Sequence, residues 1–255
     1  MTAEDILAAL CLPPQSLINL RVTKKELGER VATPADRRLV SDLVESCTWV
    51  ATLTPTTCAL AAVTDDERDY REIPILTVSL RGAERRARLH DVLHRAIPYP
   101  MLLISGGSDA TLPLMLSVAP QRRARNGTTE VVLAGPPITT ADQALSPDFL
   151  ASLAVGHGNP ADLAACYHGW IARIEALHAA AITGSWRLPR TPTDAERRQQ
   201  ALLRHAEVTA EIAVVRRQAT TTRQVNQQVA SNLALQALRQ RLHTLTIDLT
   251  LEPTP

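Results

Sequence analysis

The sequence predicts an α+β fold: a mixed, mostly antiparallel sheet with helices, then a helical connector, then a long C-terminal coiled-coil-like helix. Three observations predict it. The apolar period is close to two in several segments of the first half and three-and-a-half near the end. The expected elements run helix, helix, strand, strand, helix and then three strands, an order that suits an antiparallel sheet. A helix reading also ends in His94-Arg95-Ala96-Ile97-Pro98-Tyr99-Pro100 and passes directly into the apolar run Met101-Leu102-Leu103-Ile104. Prolines at 98 and 100 cannot continue a helix, and they push Ile97 and Tyr99 into extended geometry. The expected boundaries are 1–146 for the α+β domain, 147–193 for the connector and 194–255 for the long helix.

Thr2-Ala3-Glu4-Asp5 is a capping box ahead of Ile6, Leu7 and Leu10, so a short helix is expected first, stopped by Pro13-Pro14. Thr33-Pro34 supplies an N-cap and a first-turn proline for a second helix, with Leu39, Val40, Leu43 and Val44 as its apolar face. Cys47 to Leu53 is rich in β-formers and reads as a strand. An acidic loop at Asp65, Asp66, Glu67 and Asp69 precedes a second strand over about Glu72 to Leu80. The helix of about Ala83 to Ala96 carries Leu89, Val92 and Leu93 on one side. Strands are expected at Pro100 to Ser105, Thr111 to Ala119 and Thr128 to Ala134, with a turn at Gly106-Gly107-Ser108-Asp109. Asn159-Pro160 opens a helix with Leu163, Tyr167, Trp170, Ile171, Ile174, Leu177 and Ala181 in helical period. From Asp194 onward one long helix is expected. Val208, Ile212, Val215, Ala219, Thr222, Asn226, Val229 and Leu233 step by fours and threes, a coiled-coil seam. Leu235, Leu238, Leu242, Leu245 and Leu249 continue it on a shifted seam, as a stutter would.

Composition narrows the function classes. With 255 residues, 45% hydrophobic and 21% charged, the chain can bury a core, and with 3% aromatic residues that core is aliphatic. No apolar run reaches the roughly 18 residues of a membrane helix. Met1 to Asp5 carries acid rather than base, so no leader is expected and a cytoplasmic location is. The four cysteines (Cys11, Cys47, Cys58 and Cys166) form no CxxC pair and read as buried free thiols. A net charge of +1 excludes a generally basic nucleic-acid binder.

No complete catalytic constellation is legible. There is no P-loop, no Gly-x-Ser-x-Gly elbow and no GxGxxG. His90 and His94 share a helix face, but further ligands are missing nearby, so no metal or other cofactor is expected and the pair reads as half-buried histidines bonded to loops. A metal-dependent nuclease could use Asp65, Asp66, Glu67 or Glu72, yet Leu76 to Arg81 lacks the acid and lysine such a site needs on the next strand. The tail is charged unevenly. Between Ile212 and Ile247 it holds Arg216, Arg217, Arg223, Arg239 and Arg241 and no carboxylate, a pattern that can track phosphates or face an acidic partner. The seam residues Val208, Ile212, Val215, Asn226, Val229, Leu233, Leu238 and Leu242 are the expected partner-binding set, against the connector helix or a second chain. Asn226 would set register within it.

The segment from His94 to Ile104 resembles the central motif of a bacterial family, domain of unknown function 4391. Asp36-Arg37-Arg38-Leu39, leading to Trp49, resembles its first block, and Glu67-Arg68-Asp69-Tyr70-Arg71-Glu72-Ile73 its second. Arg223-Gln224-Val225-Asn226-Gln227-Gln228-Val229, with Asn232, Leu235 and Leu238, is similar to its terminal helix. The resemblance implies a setting among helicase and DNA-methyltransferase genes in phage-defence or restriction-type loci. The expected function is thus a non-enzymatic accessory subunit that bridges a helicase or methyltransferase. The alternatives are a metal-dependent or degenerate nuclease and a DNA-binding module using the arginine-rich helix. The resemblance implies no catalytic residues.

Overall fold

The computed structural model describes residues 2–97, 99–107, 112–123, 131–140, 144–221 and 225–250, with the side chains of Val131, Thr221, Val225, Asn226 and Val229 outside that description. Helix α1 (Ala3–Ala9) starts where its capping box places it: the Thr2 N–H donates to Asp5 Oδ2 at 2.7 Å, and the Asp5 N–H donates to Thr2 Oγ1 at 3.4 Å. After a 3-10 turn at Pro14–Ser16 come two elements beyond the sequence reading, strand β1 (Leu17–Val22) and helix α2 (Lys24–Arg30). Neither shows an apolar period: Leu17, Ile18 and Leu20 of β1 do not alternate, and Leu27 is the one large apolar residue of α2. Helix α2 nevertheless has a second capping box, Thr23 with Glu26.

Helix α3 (Pro34–Leu43), capped by Thr33, leads into β2 (Val44–Leu53), a short helix α4 (Pro55–Cys58) and the two-residue strands β3 (Val63–Thr64) and β4 (Asp69–Tyr70). Then follow β5 (Ile73–Leu80), α5 (Arg86–Ala96), β6 (Leu102–Gly107), β7 (Met115–Val118), β8 (Gln121–Arg123), β9 (Val131–Leu133) and β10 (Ile138–Thr139). Gly106 and Gly107 are strand rather than turn, pairing with Ser79 and Leu80. A Cβ on Gly106 would stand 2.8 Å from Leu114 Cδ2, so a larger residue there would need the Leu114 side chain to shift. Ser108, Asp109 and Thr111 lie outside the described residues.

Six strands form one sheet in the order β1-β2-β5-β6-β7-β10. All neighbours are antiparallel except β5 and β6, which α5 connects as a crossover. The fold is therefore α+β with a mixed, mostly antiparallel sheet. Both faces of its central strands are buried. On one face Leu76, Val78, Leu80 and Leu103 pack against Leu27 of α2, Leu39, Val40 and Leu43 of α3, and Leu89, Val92 and Leu93 of α5. The alternating residues Ile75, Leu102, Ile104, Leu116 and Val118 face the other way and are also buried.

Helix α6 (Pro147–Ser152) and helix α7 (Leu163–Thr183) follow the sheet. Helix α7 starts after Asn159-Pro160, because Asp162 Oδ1 accepts the Ala165 N–H at 2.7 Å and Asn159 itself has φ 50°. Tyr167 ties this helix to the sheet. Its hydroxyl accepts from the Ala119 N–H at 2.8 Å and lies 3.1 Å from the carbonyls of Met101 and Ala119. Tyr167→Phe leaves the buried Ala119 N–H without a partner, so the unfolding free energy should fall by about 1–3 kcal/mol. A urea titration of the variant with an unchanged midpoint would remove this tie from the account.

The chain divides into two compact units, Met1–Ile174 and Glu175–Pro255, with residues of α7 in both. In place of one long C-terminal helix, the second unit has two, α8 (Pro192–Thr221) and α9 (Val225–Leu249). They pack against each other. No helix among the described residues is long and apolar enough to cross a membrane.

Candidate functional site

The predicted seam exists, but it closes on itself. Val208 and Ile212 of α8 cluster with Leu235 and Leu245 of α9, and Val215, Leu238 and Leu242 pack against that cluster half-buried. What looked like a stutter in one helix is the passage from the stripe of α8 to the stripe of α9. Leu233 is the residue this moves: it is 61% exposed, on the far side of α9 from Leu235. Thr222 and Arg223 lie outside the described residues, as do the side chains of Asn226 and Val229, so the register role expected of Asn226 falls there. At the other end, Leu249 and Ala201 meet Ala179, with Ile182 and Leu202 against them, so the end of α7 joins the helical unit.

One buried feature of this unit escaped the sequence reading. Arg198 is 1% exposed, and its Nε and Nη1 have no hydrogen-bond partner among the described residues. Glu175 is also buried. Burial is the main cause that pushes its carboxyl up to about 7, opposed by a hydrogen bond from Gln199 and by the Arg198 charge. The signal was present: the steps of four and three that define the seam extend backward from Val208 through His205 and Ala201 to Arg198.

The outer surface of the hairpin carries Arg216, Arg217, Arg239 and Arg241, all exposed. With no carboxylate between Ile212 and Ile247, this stretch is a cationic helical surface. Leu203 and Val214 lie roughly three turns apart on the outer side of α8, and Leu233 and Ile247 roughly four turns apart on the outer side of α9, all four exposed.

In the first unit His90 and His94 are fully buried and bond to strands rather than loops. His90 Nδ1 lies 2.6 Å from Ser117 Oγ, and His90 Nε2 lies 2.6 Å from Ser105 Oγ. His94 Nε2 lies 2.9 Å from the same Ser117 oxygen. Their pattern is set by the register, since Leu103 pairs with Ser117 and Ser105 with Met115, which places both serines under one face of α5. Burial holds the His90 imidazole well below its ordinary range and His94 down to about 3. Among the described residues no group of three or more His, Cys, Asp or Glu is placed to hold a metal ion. Of the cysteines, Cys47 and Cys166 are buried, with thiols pushed up to about 12 by burial, whereas Cys11 is exposed.

The family model for the Domain of unknown function (DUF4391) matches residues 10–242. The chain belongs to this family. No curated protein and no solved structure matches it.

In this DUF4391 chain, the two blocks before the central motif are occupied in holding the fold. Asp36 donates its N–H to the N-cap Thr33, accepts the Thr33 hydroxyl at 2.8 Å and receives Arg88 of α5 at 2.9 Å, while Arg88 also reaches Asp91 at 2.7 Å and Asp91 receives Arg95 at 2.9 Å. In the second block Tyr70 is 1% exposed, its ring centroid 5.8 Å from that of Tyr167 and its hydroxyl 3.1 Å from His168 Nε2. Asp69 receives Arg71 at 2.8 Å. Asp65 accepts from Arg68 at 2.8 Å, a hydrogen bond that lowers its pKa. Asp66 and Glu67 are exposed and Glu72 is half-buried.

Proposed function

We propose that this DUF4391 chain is a non-enzymatic accessory subunit of a bacterial antiphage defence complex of restriction type, acting in the cytoplasm and bridging a helicase or DNA methyltransferase to the assembly. The observation that carries the reading is the α8–α9 hairpin. Its seam is filled from within, so its exposed face is available for contact. That face is cationic and carboxylate-free between Ile212 and Ile247, which suits an acidic partner surface. The defence setting rests on the family resemblance. The full-length chain, tagged and recovered from its native host, should bring a helicase or methyltransferase with it. A variant with Arg216, Arg217, Arg239 and Arg241 all changed to alanine should lose that partner. Recovery of the wild-type chain alone at native expression would count heavily against bridging.

The same arginines favour a second reading, direct binding of nucleic acid. Then binding to a duplex should weaken steeply with salt, and Arg216→Ala with Arg217→Ala should flatten the salt slope by about 2, near 0.9 for each phosphate contact removed. A slope unchanged in the double variant, measured by fluorescence anisotropy, would rule these two arginines out as phosphate contacts.

A further inference from the structure

A groove of about 540 Å³ in the first unit is lined by the residues that make the Tyr99 corner one of its walls. Its floor is a row across three strands. Leu20 of β1 pairs with Trp49 of β2, and Trp49 pairs with Leu76 of β5, so the three side chains lie side by side on one face of the sheet. Leu27 of α2 forms one wall, and Ile97 with Tyr99 forms the other. The groove is preformed. The Trp49 Nε1–H donates to Thr52 Oγ1 at 2.7 Å, so the polar edge of the indole is occupied and the ring offers apolar surface. The Tyr99 N–H donates to the Ile97 carbonyl at 2.8 Å, and the Tyr99 carbonyl accepts from Gln121 Nε2, which holds the corner at both ends.

The groove runs to an edge. Strand β1 is the first of the six-stranded sheet, and no other strand among the described residues pairs with its outer side. Leu17, Ile18 and Leu20 are 47%, 51% and 59% exposed on it. Edge strands are usually blunted by charge or a bulge. Here the bulge, with Asn19 at φ 53°, sits between Leu17 and Leu20, so Leu20 to Val22 remains as regular edge beside the groove. Counting Lys24 and Lys25 beside it, the rim holds four cations against two carboxylates. Arg21 and Arg30 are exposed on it with Lys24 and Lys25 nearby. Of the two carboxylates there, Glu26 is engaged by Thr23 at 2.7 and 2.8 Å, and Glu29 lies 3.9 Å from Lys25.

We propose that this groove binds an extended acidic segment of a protein partner. One aliphatic or aromatic side chain rests on Leu20 and the Trp49 ring at the outer end of the floor, the segment's backbone lies along Leu20 to Val22, and flanking carboxylates meet Arg21 and Arg30. A nucleic-acid strand suits the groove less well. The single indole of the floor is flanked by leucines, which gives no platform for successive bases. The proposal does not depend on the bridging reading.

The test uses full-length protein and two fluorescein-labelled peptide pools. Both have Leu, Ile, Phe or Trp at the centre; one is flanked by Asp and Glu, the other by Lys. Polarisation should show binding of the acidic pool and not of the basic one. Leu20→Glu and Arg30→Glu, both at exposed positions, should each weaken it by about tenfold or more with unchanged melting. N-methylation of the peptide backbone should weaken it too. Four outcomes overturn the proposal: no binding up to on the order of 1 mM, equal binding of the two pools, binding that neither variant changes, or a change of oligomeric state on Leu20→Glu, which would make the face a contact between copies. Displacement of the acidic pool by an oligo-dT strand of lower Kd would assign the groove to nucleic acid and also overturn it.

Discussion

Changing His90 to alanine is expected to lower the unfolding free energy of the first unit by roughly 4 kcal/mol. The imidazole is 0% exposed and bridges Ser117 of β7 and Ser105 of β6. Its removal opens a cavity beneath α5, withdraws the imidazole from the buried Ser105 hydroxyl at a cost of about 1–3 kcal/mol, and leaves Ser117 with His94 alone. Arg88→Ala, which removes an exposed ion pair to Asp36, should cost about 1 kcal/mol or less. The same histidines set a pH dependence. Both are held neutral, with folded-state pKa values below the 6.5 of the free side chain, mainly by burial. Protonation therefore favours the unfolded chain. The stability they confer is fully present above pH 6.5 and is lost as pH falls below it, down to about 3 for His94, at up to about 1.4 kcal/mol per pH unit for each histidine. Glu175 has the opposite sign. Its folded-state pKa is raised from 4.5 to about 7, so the helical unit gains stability as pH falls from about 7 towards 4.5. Acidification from pH 7.5 to 5.5 should thus weaken the sheet unit, reported by Trp49 and Trp170, without weakening the contribution of Glu175 to the helical unit, reported by Trp186. A urea midpoint of the sheet unit that is flat over that range, together with a mild effect of His90→Ala, would refute the network's role.

Placing a carboxylate in the hairpin seam should have an effect of comparable size. Val208 is 1% exposed, and Val208→Asp puts an unpaired charge among Ile212, Leu235 and Leu245, at a cost of several kcal/mol. The expected result is loss of helical circular dichroism from α8 and α9 while the sheet unit still melts cooperatively. Leu233→Asp is the control, because Leu233 is 61% exposed and a surface change of this kind shifts stability by about 0.5 kcal/mol or less. A single continuous helix with one seam through Val208 and Leu233 predicts equal damage from both substitutions. The hairpin predicts a large difference. Equal thermal shifts in the two variants would therefore return the tail to a single-seam arrangement.

Local chemistry was sufficient for much of this fold. Thr2 and Thr33 start their helices because a short oxygen-bearing side chain followed by an acid three residues later satisfies the first free N–H groups wherever it occurs. The proline corner ends α5 near Ile97 because a backbone without N–H and with fixed φ cannot do otherwise. The segments that became β2, β5 and β6 were legible from β-forming residues over enough length. Elements such as β1 and α2 were not, since Leu17, Ile18 and Leu20 do not alternate and α2 holds one large apolar residue, Leu27. The candidate site was legible in part. Steps of four and three identified Val208, Ile212, Val215, Leu238 and Leu242 as seam residues, and all are buried or half-buried in it.

Only the tertiary structure decided what that seam meets. A heptad pattern says that one stripe of a helix will be covered; it does not distinguish a second chain, a neighbouring helix or the same helix folded back on itself. Here the stripe of α8 meets that of α9, which moved Leu233 from seam to surface. The His90–Ser105–Ser117–His94 cluster was out of reach for the same reason. Its hydrogen bonds join residues 15 to 27 positions apart through the pairing of β6 with β7, a register no local pattern contains. The groove under Tyr99 likewise needs three strands in line. The sequence by itself determined where elements begin, end and turn an apolar face. Long-range pairing determined which faces meet, because contacts between distant segments depend on the whole chain closing at once and not on the residues beside them.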